Sequence, residues 1–372
     1  MFHRKYILLI LLLLRMTVGQ AQCNCHLELC TKRYNEVAYL TTHNAFNSHQ
    51  DHFMFPNQDF SITRQLTDGV RALMIDVYDK DGVPTVYHGN SLLGSEPLSC
   101  NLNEIYDYLK NNPKEVVSII FECYVSATVI ENALKDAGLL SMAYTKTKNT
   151  QWPTLQALID TDKRLIIFSD KNDASLNQKW YHYVWDYAVE TSFSAVETTD
   201  LNSTFNRGNA SNDLFILNHF LVSKTLGTGS RSNAKIANAN PFMINRINNC
   251  RSETAKFPNF VTVDFYDIGD CLENVNKLNQ VENIPIPDFD LSEGAKLMPN
   301  PLINNAIVQM PKASKAPFYM RLYSFNGIKV RELPKVWASQ FQLERTNLPQ
   351  GIYLLLITDV KQQVYSIKVV VN

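Results

Sequence analysis

The chain has 372 residues, a formal net charge of -1 at pH 7, and 45 % hydrophobic residues. The near-neutral charge offers no general attraction to nucleic acid or to an anionic membrane, and the apolar content excludes a largely disordered chain. The length exceeds that of one ordinary domain and predicts a large domain with a smaller companion.

The first residues are interpreted as a signal peptide. Arg4 and Lys5 precede the apolar run Tyr6–Leu14, and Gly19-Gln20-Ala21 then offers a small-x-small cleavage site. The apolar run is too short to span a bilayer, although a membrane anchor is the alternative interpretation. We therefore expect removal of residues 1–21 and a protein that is secreted or held at the cell surface.

Seven cysteines follow in a chain that we expect to be exported, where disulfides can form. Cys23, Cys25 and Cys30 lie close together in sequence. A local disulfide is favoured over a zinc site, because no second cluster of metal ligands matches them. The sequence leaves open which two of the three are paired. Cys250 and Cys271 flank one predicted strand and are plausible partners of each other.

The segment from Tyr34 to Cys271 alternates short apolar strands with helical segments, which indicates an α/β fold with a parallel sheet. One helical segment places Leu102, Ile105 and Leu109 on a single apolar face. About eight strands in roughly 240 residues favour a (β/α)8 TIM-like barrel over an open sheet. We assign this barrel to residues 22–275. The predicted strands are Val37–Leu40, Val70–Val77, Thr85–Tyr87, Val116–Phe121, Leu165–Phe168, Tyr183–Val189, Leu214–Leu217 and Phe260–Val263.

Polar residues recur at the ends of these predicted strands. The C-terminal ends of barrel strands converge on one face, where active sites lie, so we expect these side chains to meet in one pocket. For any one of them alone, a solvated loop position is the alternative. The six residues, in chain order, are His43, Asn44, Asp76, His88, Glu122 and Asp264.

The residue types in this pocket suit the cleavage of a phosphodiester. Two histidines can supply a general base for an attacking hydroxyl and a general acid for the leaving oxygen, because imidazole titrates near neutral pH. Asp264 is a candidate to fix the tautomer of one histidine. No arginine lies at the expected strand ends, whereas Asn44, Asp76 and Glu122 offer the hard oxygen ligands that Ca²⁺ or Mg²⁺ prefers. We therefore predict a divalent metal at these three residues.

The motifs that contain these residues carry a family resemblance. They are Thr41-Thr42-His43-Asn44-Ala45-Phe46, Asn57-Gln58, Asp76-Val77-Tyr78-Asp79, Tyr87-His88-Gly89, Phe121-Glu122 and Val263-Asp264-Phe265-Tyr266. From about Cys30 to Cys271 the chain resembles the X domain of phosphatidylinositol-specific phospholipase C. The resemblance is closest to the X-domain-only, phospholipase-C-like phosphodiesterases.

The resemblance implies a role for each residue of the pocket. His43 would be the general base, paired with Asp264, and His88 the general acid. The bacterial enzymes of this family carry an arginine where this chain has Tyr78. The signalling enzymes carry one more acidic metal ligand where this chain has Met74. The chain thus resembles a hybrid that joins the metal ligands Asn44, Asp76 and Glu122 to the aspartate of the last strand.

The composition changes after about Asn274. We interpret residues 276–296 as a proline-punctuated linker and residues 297–372 as a small β-sandwich, in which Asn326-Gly327 predicts a hairpin turn. The sandwich contains no histidine or cysteine, which argues against chemistry there. Its motifs resemble the C-terminal sorting domain of type IX secretion cargo and imply the secretion machinery as a partner; a carbohydrate- or surface-binding sandwich is the alternative. These motifs are Met298-Pro299-Asn300-Pro301, Asn347-Leu348-Pro349-Gln350-Gly351-Ile352-Tyr353 and Ile367-Lys368-Val369-Val370-Val371.

The pattern as a whole predicts a secreted phosphodiesterase that resembles phosphatidylinositol-specific phospholipase C. Its expected substrate is a phosphodiester such as a phosphoinositide or another phospholipid headgroup. Peripheral contact with a membrane is compatible with this function, although no apolar docking loop is evident in the sequence. The alternatives are a glycerophosphodiester or sphingolipid phosphodiesterase, and a catalytically weak binding protein displayed at the surface. Nucleic acid is not an expected partner.

Overall fold

The structure is a computed structural model that describes residues 23–147, 150–173, 179–223, 228–281, 294–310, 314–324, 329–333, 335–361 and 363–371. Three of the predictions concern residues outside these ranges: the signal peptide, most of the linker, and the Asn326-Gly327 turn. Among the described residues, no helix has both the length and the apolar character needed to cross a membrane.

The first part of the chain forms one curled sheet surrounded by helices. Its strands are β1 (Tyr39–Thr42), β2 (Ala72–Lys80), β3 (Val83–Val86), β4 (Glu96–Pro97), β5 (Val117–Cys123), β6 (Leu165–Ser169), β7 (Tyr181–Tyr183), β8 (Ala188–Thr191), β9 (Phe205–Gly208), β10 (Leu214–Asn218) and β11 (Phe260–Val263). Its α-helices are α1 (Ile62–Thr67), α2 (Leu98–Asn111), α3 (Ala127–Asp136), α4 (Leu155–Asp160), α5 (Arg231–Ala237), α6 (Phe242–Thr254) and α7 (Cys271–Asn279). The 3-10 helices are Leu27–Leu29, Tyr34–Glu36, Ser91–Leu93, Leu140–Met142, Val184–Asp186 and Thr198–Asp200.

Eight parallel strands run around the barrel in chain order. The strands β1, β2, β5, β6 and β7 pair one after another, and β1 also pairs with β11, which continues through β10 to β8. Among the described residues no ladder joins β7 to β8, so the ring has one open seam. This distorted (β/α)8 barrel confirms the predicted fold class.

Two of the predicted barrel strands were assigned wrongly. Most of Thr85–Tyr87 lies in β3, which pairs antiparallel with the projecting end of β2 as a hairpin outside the ring. Asp81 and Gly82 close this hairpin with positive φ angles of 55° and 81°, as a tight two-residue turn requires. The predicted strand Tyr183–Val189 instead contains the end of β7, a 3-10 turn and the start of β8.

The barrel core follows the two-residue period of its strands. Side chains such as Tyr39, Phe168, Ile216 and Phe260 pack together inside the barrel, while the intervening residues pack beneath the helices. On α2, the predicted apolar face of Leu102, Ile105 and Leu109 is fully buried in that outer layer, which confirms the helix. Alternation along each strand therefore decides which polar residue reaches the barrel mouth.

The cysteines confirm one prediction and contradict another. A disulfide joins Cys23 to Cys30, as expected of a local bridge, and Cys25 is free. Cys250 and Cys271 are both free and buried, so the predicted bridge between them is wrong. The thiol of Cys271 has another partner, since its Sγ donates to the carbonyl of Ile268 at 3.6 Å.

The C-terminal part is all β, as predicted. One sheet has the order β12–β13–β16 and the other β15–β14–β17–β18, and their facing side chains form a separate core. The strands β14 and β15 pair antiparallel on either side of the predicted turn. The strands are β12 (Lys296–Met298), β13 (Asn305–Gln309), β14 (Tyr319–Ser324), β15 (Lys329–Glu332), β16 (Gln340–Glu344), β17 (Gly351–Thr358) and β18 (Val364–Val371).

Candidate active site

The barrel mouth brings all six predicted site residues together. His43 and Asn44 follow β1, Asp264 follows β11, and β1 pairs with β11. Asp76 on β2 and Glu122 on β5 are directly opposite each other in the parallel register. Since β2 also pairs with β1, the four strands are neighbours in the order β11, β1, β2 and β5. The site residues that they carry therefore meet at their C-terminal ends.

His43 is held by a buried carboxylate and an aromatic ring. Its Nδ1 lies 2.9 Å from Oδ1 of Asp264, which is 3 % exposed. The imidazole stacks on the ring of Phe220, with 4.0 Å between ring centres. With Nδ1 occupied by the carboxylate, Nε2 is the nitrogen left for proton transfer, and an imidazolium formed there is stabilised by Asp264.

His88 stands across from His43 on the loop that follows β3. The two imidazole centres are 6.4 Å apart, and the rings are inclined at 77°. His88 Nδ1 lies 3.2 Å from Oδ2 of Asp76. This hydrogen bond raises the pKa of His88 above its ordinary value, against the opposing effect of burial. The protonated form that a general acid needs is therefore favoured.

Asn44 and Asn57 connect the two histidines. Asn44 has a positive φ of 46°, and its Nδ2 lies 3.1 Å from Nδ1 of His88 and donates to Oδ1 of Asn57 at 3.2 Å. Asn57 in turn donates from Nδ2 to Oδ1 of Asp264 at 3.0 Å. A continuous polar network thus links both imidazoles and both carboxylates behind them.

Sequence reasoning assigned no role to Asn57 or Phe220. Asn57 lies in a loop and does not follow a strand. The sequence feature that could have indicated its place in the site is the Asn57-Gln58 pair among the family motifs. Every second side chain of β10 points into the barrel, and Phe220 lies two residues beyond the inward-facing Asn218. This two-residue period would have predicted that Phe220 lies at the mouth. Its contact with His43 depends on tertiary packing, which the sequence pattern does not contain.

The predicted metal ligands have a charge arrangement that suits a cation. Burial raises the pKa of Asp76, and the nearby charge of Glu122 raises it further. A divalent ion between them would relieve this repulsion. Among the described residues, no group of three or more His, Cys, Asp or Glu side chains is arranged to hold a metal. A cation here would therefore use two carboxylates together with the amide oxygen of Asn44, which are hard donors of the type Ca²⁺ and Mg²⁺ bind.

A stack of three tyrosines lines the mouth beside these carboxylates. Tyr78 lies between Tyr87 and Tyr124, with ring centres 4.0 Å and 4.3 Å away. Tyr124 donates its hydroxyl to Oε1 of Glu122 at 2.5 Å. Burial raises the pKa of Tyr78 to about 12, so this position remains uncharged at neutral pH. The stack orients Glu122 and brings no positive charge to the site.

Comparison with known proteins gives two family matches. The family model described as PI-PLC X 1 matches residues 29–279, and the model of the secretion system C-terminal sorting domain matches residues 296–372. A PI-PLC X domain-containing protein of Arthroderma benhamiae is 28 % identical over 69 % of this chain and 89 % of its own length. One of Arabidopsis thaliana is 29 % identical over 66 % of this chain and 62 % of its own length.

Solved structures include a variant of the phosphatidylinositol-specific phospholipase C from Staphylococcus aureus. It is 13 % identical to this chain and aligns with a TM-score of 0.48, covering 68 % of this chain and 94 % of its own.

Proposed function

Because this chain belongs to the PI-PLC X domain family, we propose that it is a secreted phosphodiesterase that cleaves a phospholipid-like phosphodiester with His43 and His88. The observation that carries the proposal is the pair of imidazoles 6.4 Å apart, each backed by a buried carboxylate. Such an arrangement lets one histidine accept a proton while the other donates one. The match to a sorting domain supports export, with the β-sandwich as the part that the secretion machinery recognises.

The proposed reaction uses a hydroxyl beside the phosphate as the nucleophile, as an inositol ring provides. His43 takes the hydroxyl proton at Nε2 while Asp264 stabilises the resulting imidazolium. The oxygen attacks phosphorus and forms a cyclic phosphodiester. The bond from phosphorus to the leaving oxygen breaks, and protonated His88 gives its Nε2 proton to that oxygen. Asp76 supports this step because it favours the protonated state of His88.

Asn44, Asp76 and Glu122 are proposed to hold Ca²⁺ or Mg²⁺ beside the histidines. Such an ion would polarise the phosphate and lower the pKa of the attacking hydroxyl. The repulsion between Asp76 and Glu122 supports this assignment, and the hydrogen bond from Tyr124 fixes the direction of the Glu122 carboxylate.

Chelation tests the metal assignment. Treatment with EDTA is expected to lower the rate on a chromogenic inositol-phosphate ester by at least about 100-fold, because several kcal/mol of charge stabilisation are lost. Added Ca²⁺ or Mg²⁺ should restore the rate. Glu122→Gln should raise the metal concentration needed for half-maximal activity, whereas Glu253→Gln, which removes an exposed carboxylate on α6, should not. An unchanged rate in EDTA would remove all three residues from this role.

An apolar rim beside the histidines supports a lipid substrate. The rim consists of Met54, Phe55 and Leu92, whose exposed fractions are 56 %, 43 % and 86 %. Its two loops are joined by the hydrogen bond from the amide of Met54 to the carbonyl of Leu93, at 2.7 Å. No docking loop is evident in the sequence because the three residues come from two separate segments. Leu92 lies four positions after His88, so a membrane held by the rim would present its headgroups to the site.

Replacing the three residues of the apolar rim with serine should weaken membrane binding without changing the catalytic rate on a soluble substrate. The triple variant Met54→Ser, Phe55→Ser, Leu92→Ser is expected to bind phosphatidylinositol vesicles at least about 10-fold more weakly, because it loses apolar surface that the bilayer would bury. Its turnover of a soluble inositol-phosphate ester should remain unchanged. The control carries Ile303→Ser and Trp337→Ser, two exposed apolar residues of the sandwich. Equal vesicle binding by the rim variant, the control and the unaltered protein would contradict this docking surface.

A further inference from the structure

The side chain of Asn57 is buried beside the proposed general base. It is 1 % exposed. Its Nδ2 donates to Oδ1 of Asp264 at 3.0 Å and lies 3.4 Å from Nδ1 of His43. Its Oδ1 accepts hydrogen bonds from Nδ2 of Asn47 at 2.7 Å and from Nδ2 of Asn44 at 3.2 Å. Both ends of the amide are therefore engaged by neighbouring side chains.

These contacts decide which end of the Asn57 amide faces the carboxylate. The oxygen meets two amide nitrogens, and the nitrogen meets a carboxylate oxygen. The reverse orientation would place the amide oxygen against the Asp264 carboxylate and the amide nitrogen against two other donors. Asn47, which is closest to the Asn57 oxygen, therefore holds Asn57 in the orientation in which it donates to Asp264.

The carboxylate of Asp264 depends on this donor. In the described part of the chain its hydrogen-bond partners are His43 and Asn57, and both of them act on Oδ1. Oδ2 is buried and has no hydrogen-bond partner among the same residues. Without Asn57, only the imidazole itself would define the rotation of the carboxylate. A carboxylate that orients a histidine has to be held by a further partner, because the imidazole otherwise loses its preference for one tautomer.

The backbone of Asn57 is held independently of its side chain. Its amide nitrogen donates to the carbonyl of Asn47 at 2.9 Å, and its carbonyl accepts a hydrogen bond from the amide of Phe265 at 2.8 Å. A substitution of Asn57 should therefore leave the loop in place and remove only the contacts of the side-chain amide. This makes a positioning role separable from a purely structural one.

We propose that Asn57 is a positioning residue that holds the Asp264 carboxylate in the orientation in which it accepts the Nδ1 proton of His43. This inference rests on the proposed function, because it takes His43 as the general base. It adds that the base is oriented by a series of side chains, in which Asn47 holds Asn57 and Asn57 in turn holds Asp264.

Turnover of a chromogenic inositol-phosphate ester by the full chain gives the first test. Asn57→Ala is expected to lower kcat by about 10–100-fold with little change in KM, because the base is misplaced while the substrate contacts remain. In an Asp264→Ala background the same substitution should cost less than about 3-fold, since its effect passes through that carboxylate. Equal losses in the two backgrounds would overturn the proposal.

Asn238→Ala is the matched control for the loss of a buried amide. Asn238 is also 1 % exposed, and its Nδ2 donates to the backbone carbonyl of Asp264 at 2.9 Å and not to the carboxylate. This variant should lower kcat by less than about 3-fold, because it leaves the carboxylate contacts in place. A loss as large as that of Asn57→Ala would show a general loosening around Asp264 and would contradict the specific role.

Asn57→Asp provides the test if Asn57→Ala fails to fold. Its carboxylate still accepts hydrogen bonds from Asn47 and Asn44, but it repels the carboxylate of Asp264 in place of donating to it. We expect a loss in kcat at least as large as that of Asn57→Ala. Full turnover in Asn57→Asp would show that the donor is not needed and would overturn the proposal.

A second readout does not depend on turnover. In nitrogen-15 spectra of the histidine-labelled full chain at about pH 9, where imidazole is neutral, His43 should show one tautomer with its proton on Nδ1. Asn57→Ala should give a mixture of both tautomers, whereas Asn238→Ala should keep the single form. A single tautomer in Asn57→Ala would contradict the positioning role. A protein without turnover, whose His43 tautomer nevertheless depends on Asn57, would contradict the proposed phosphodiesterase reaction and support the positioning role.

Discussion

His43→Ala and His88→Ala are each expected to lower the turnover of a phosphodiester by about 10²–10⁴-fold, the usual contribution of one general acid or base. The loss should appear mainly in kcat, because each imidazole transfers a proton in the transition state and contributes less to substrate binding. Turnover of a chromogenic inositol-phosphate ester measures the effect, and circular dichroism checks that the fold is retained.

The matched control for these two variants is His49→Ala, since His49 is an exposed histidine close to the site in sequence. It should retain the full rate. Undiminished turnover in both His43→Ala and His88→Ala would refute the catalytic assignment, whatever the substrate. Loss in only one variant would leave a single histidine in an acid–base role.

Arg71→Ala should destabilise the barrel by about 3–5 kcal/mol, the cost of leaving one partner of a buried ion pair uncompensated. Arg71 is 4 % exposed and its partner Glu115 is 5 % exposed. Nε donates to Oε2 of Glu115 at 2.7 Å, and Nη1 donates to the carbonyls of Leu66 and Val70 at 2.7 Å and 2.8 Å. The substitution therefore leaves the buried Glu115 carboxylate without its cation and removes a donor from the carbonyls of Leu66 and Val70.

Urea unfolding of the full chain measures this loss of stability. The control is Arg251→Ala, which removes an exposed arginine from α6 and should change the free energy of unfolding by less than about 0.5 kcal/mol. A loss below about 1 kcal/mol for Arg71→Ala, as exposed ion pairs give, would show that the pair contributes little to the stability of the barrel.

Much of the pocket follows from strand alternation alone. Asp76, Glu122 and Asp264 reach the mouth because each stands at the inward position of a barrel strand or directly after it, and that pattern is visible in the sequence. His88 does lie at the mouth, but it follows a hairpin strand and not a barrel strand as the sequence pattern predicts. The Asp81-Gly82 turn would have indicated the hairpin.

Features that join distant segments could not be predicted in this way. Asn57 contacts Asp264 although 207 positions separate them along the chain, so no local period marks them as a pair. The apolar rim likewise depends on two loops that meet in space. The Cys250–Cys271 prediction failed because disulfide formation depends on the distance and direction of Cβ atoms, which spacing along the chain does not report.

Because of the β2–β3 hairpin, the two proposed catalytic histidines are attached to different parts of the fold. His43 follows β1, which belongs to the closed side of the ring. His88 follows β3, which among the described strands pairs only with the projecting end of β2 and with β4. The distance between the imidazoles thus depends on this hairpin, which takes no part in ring closure, as well as on the contacts of His88 with Asp76 and Asn44 at the ring. A change in the length of this hairpin is therefore expected to alter the distance between base and acid while the ladders between the ring strands are kept.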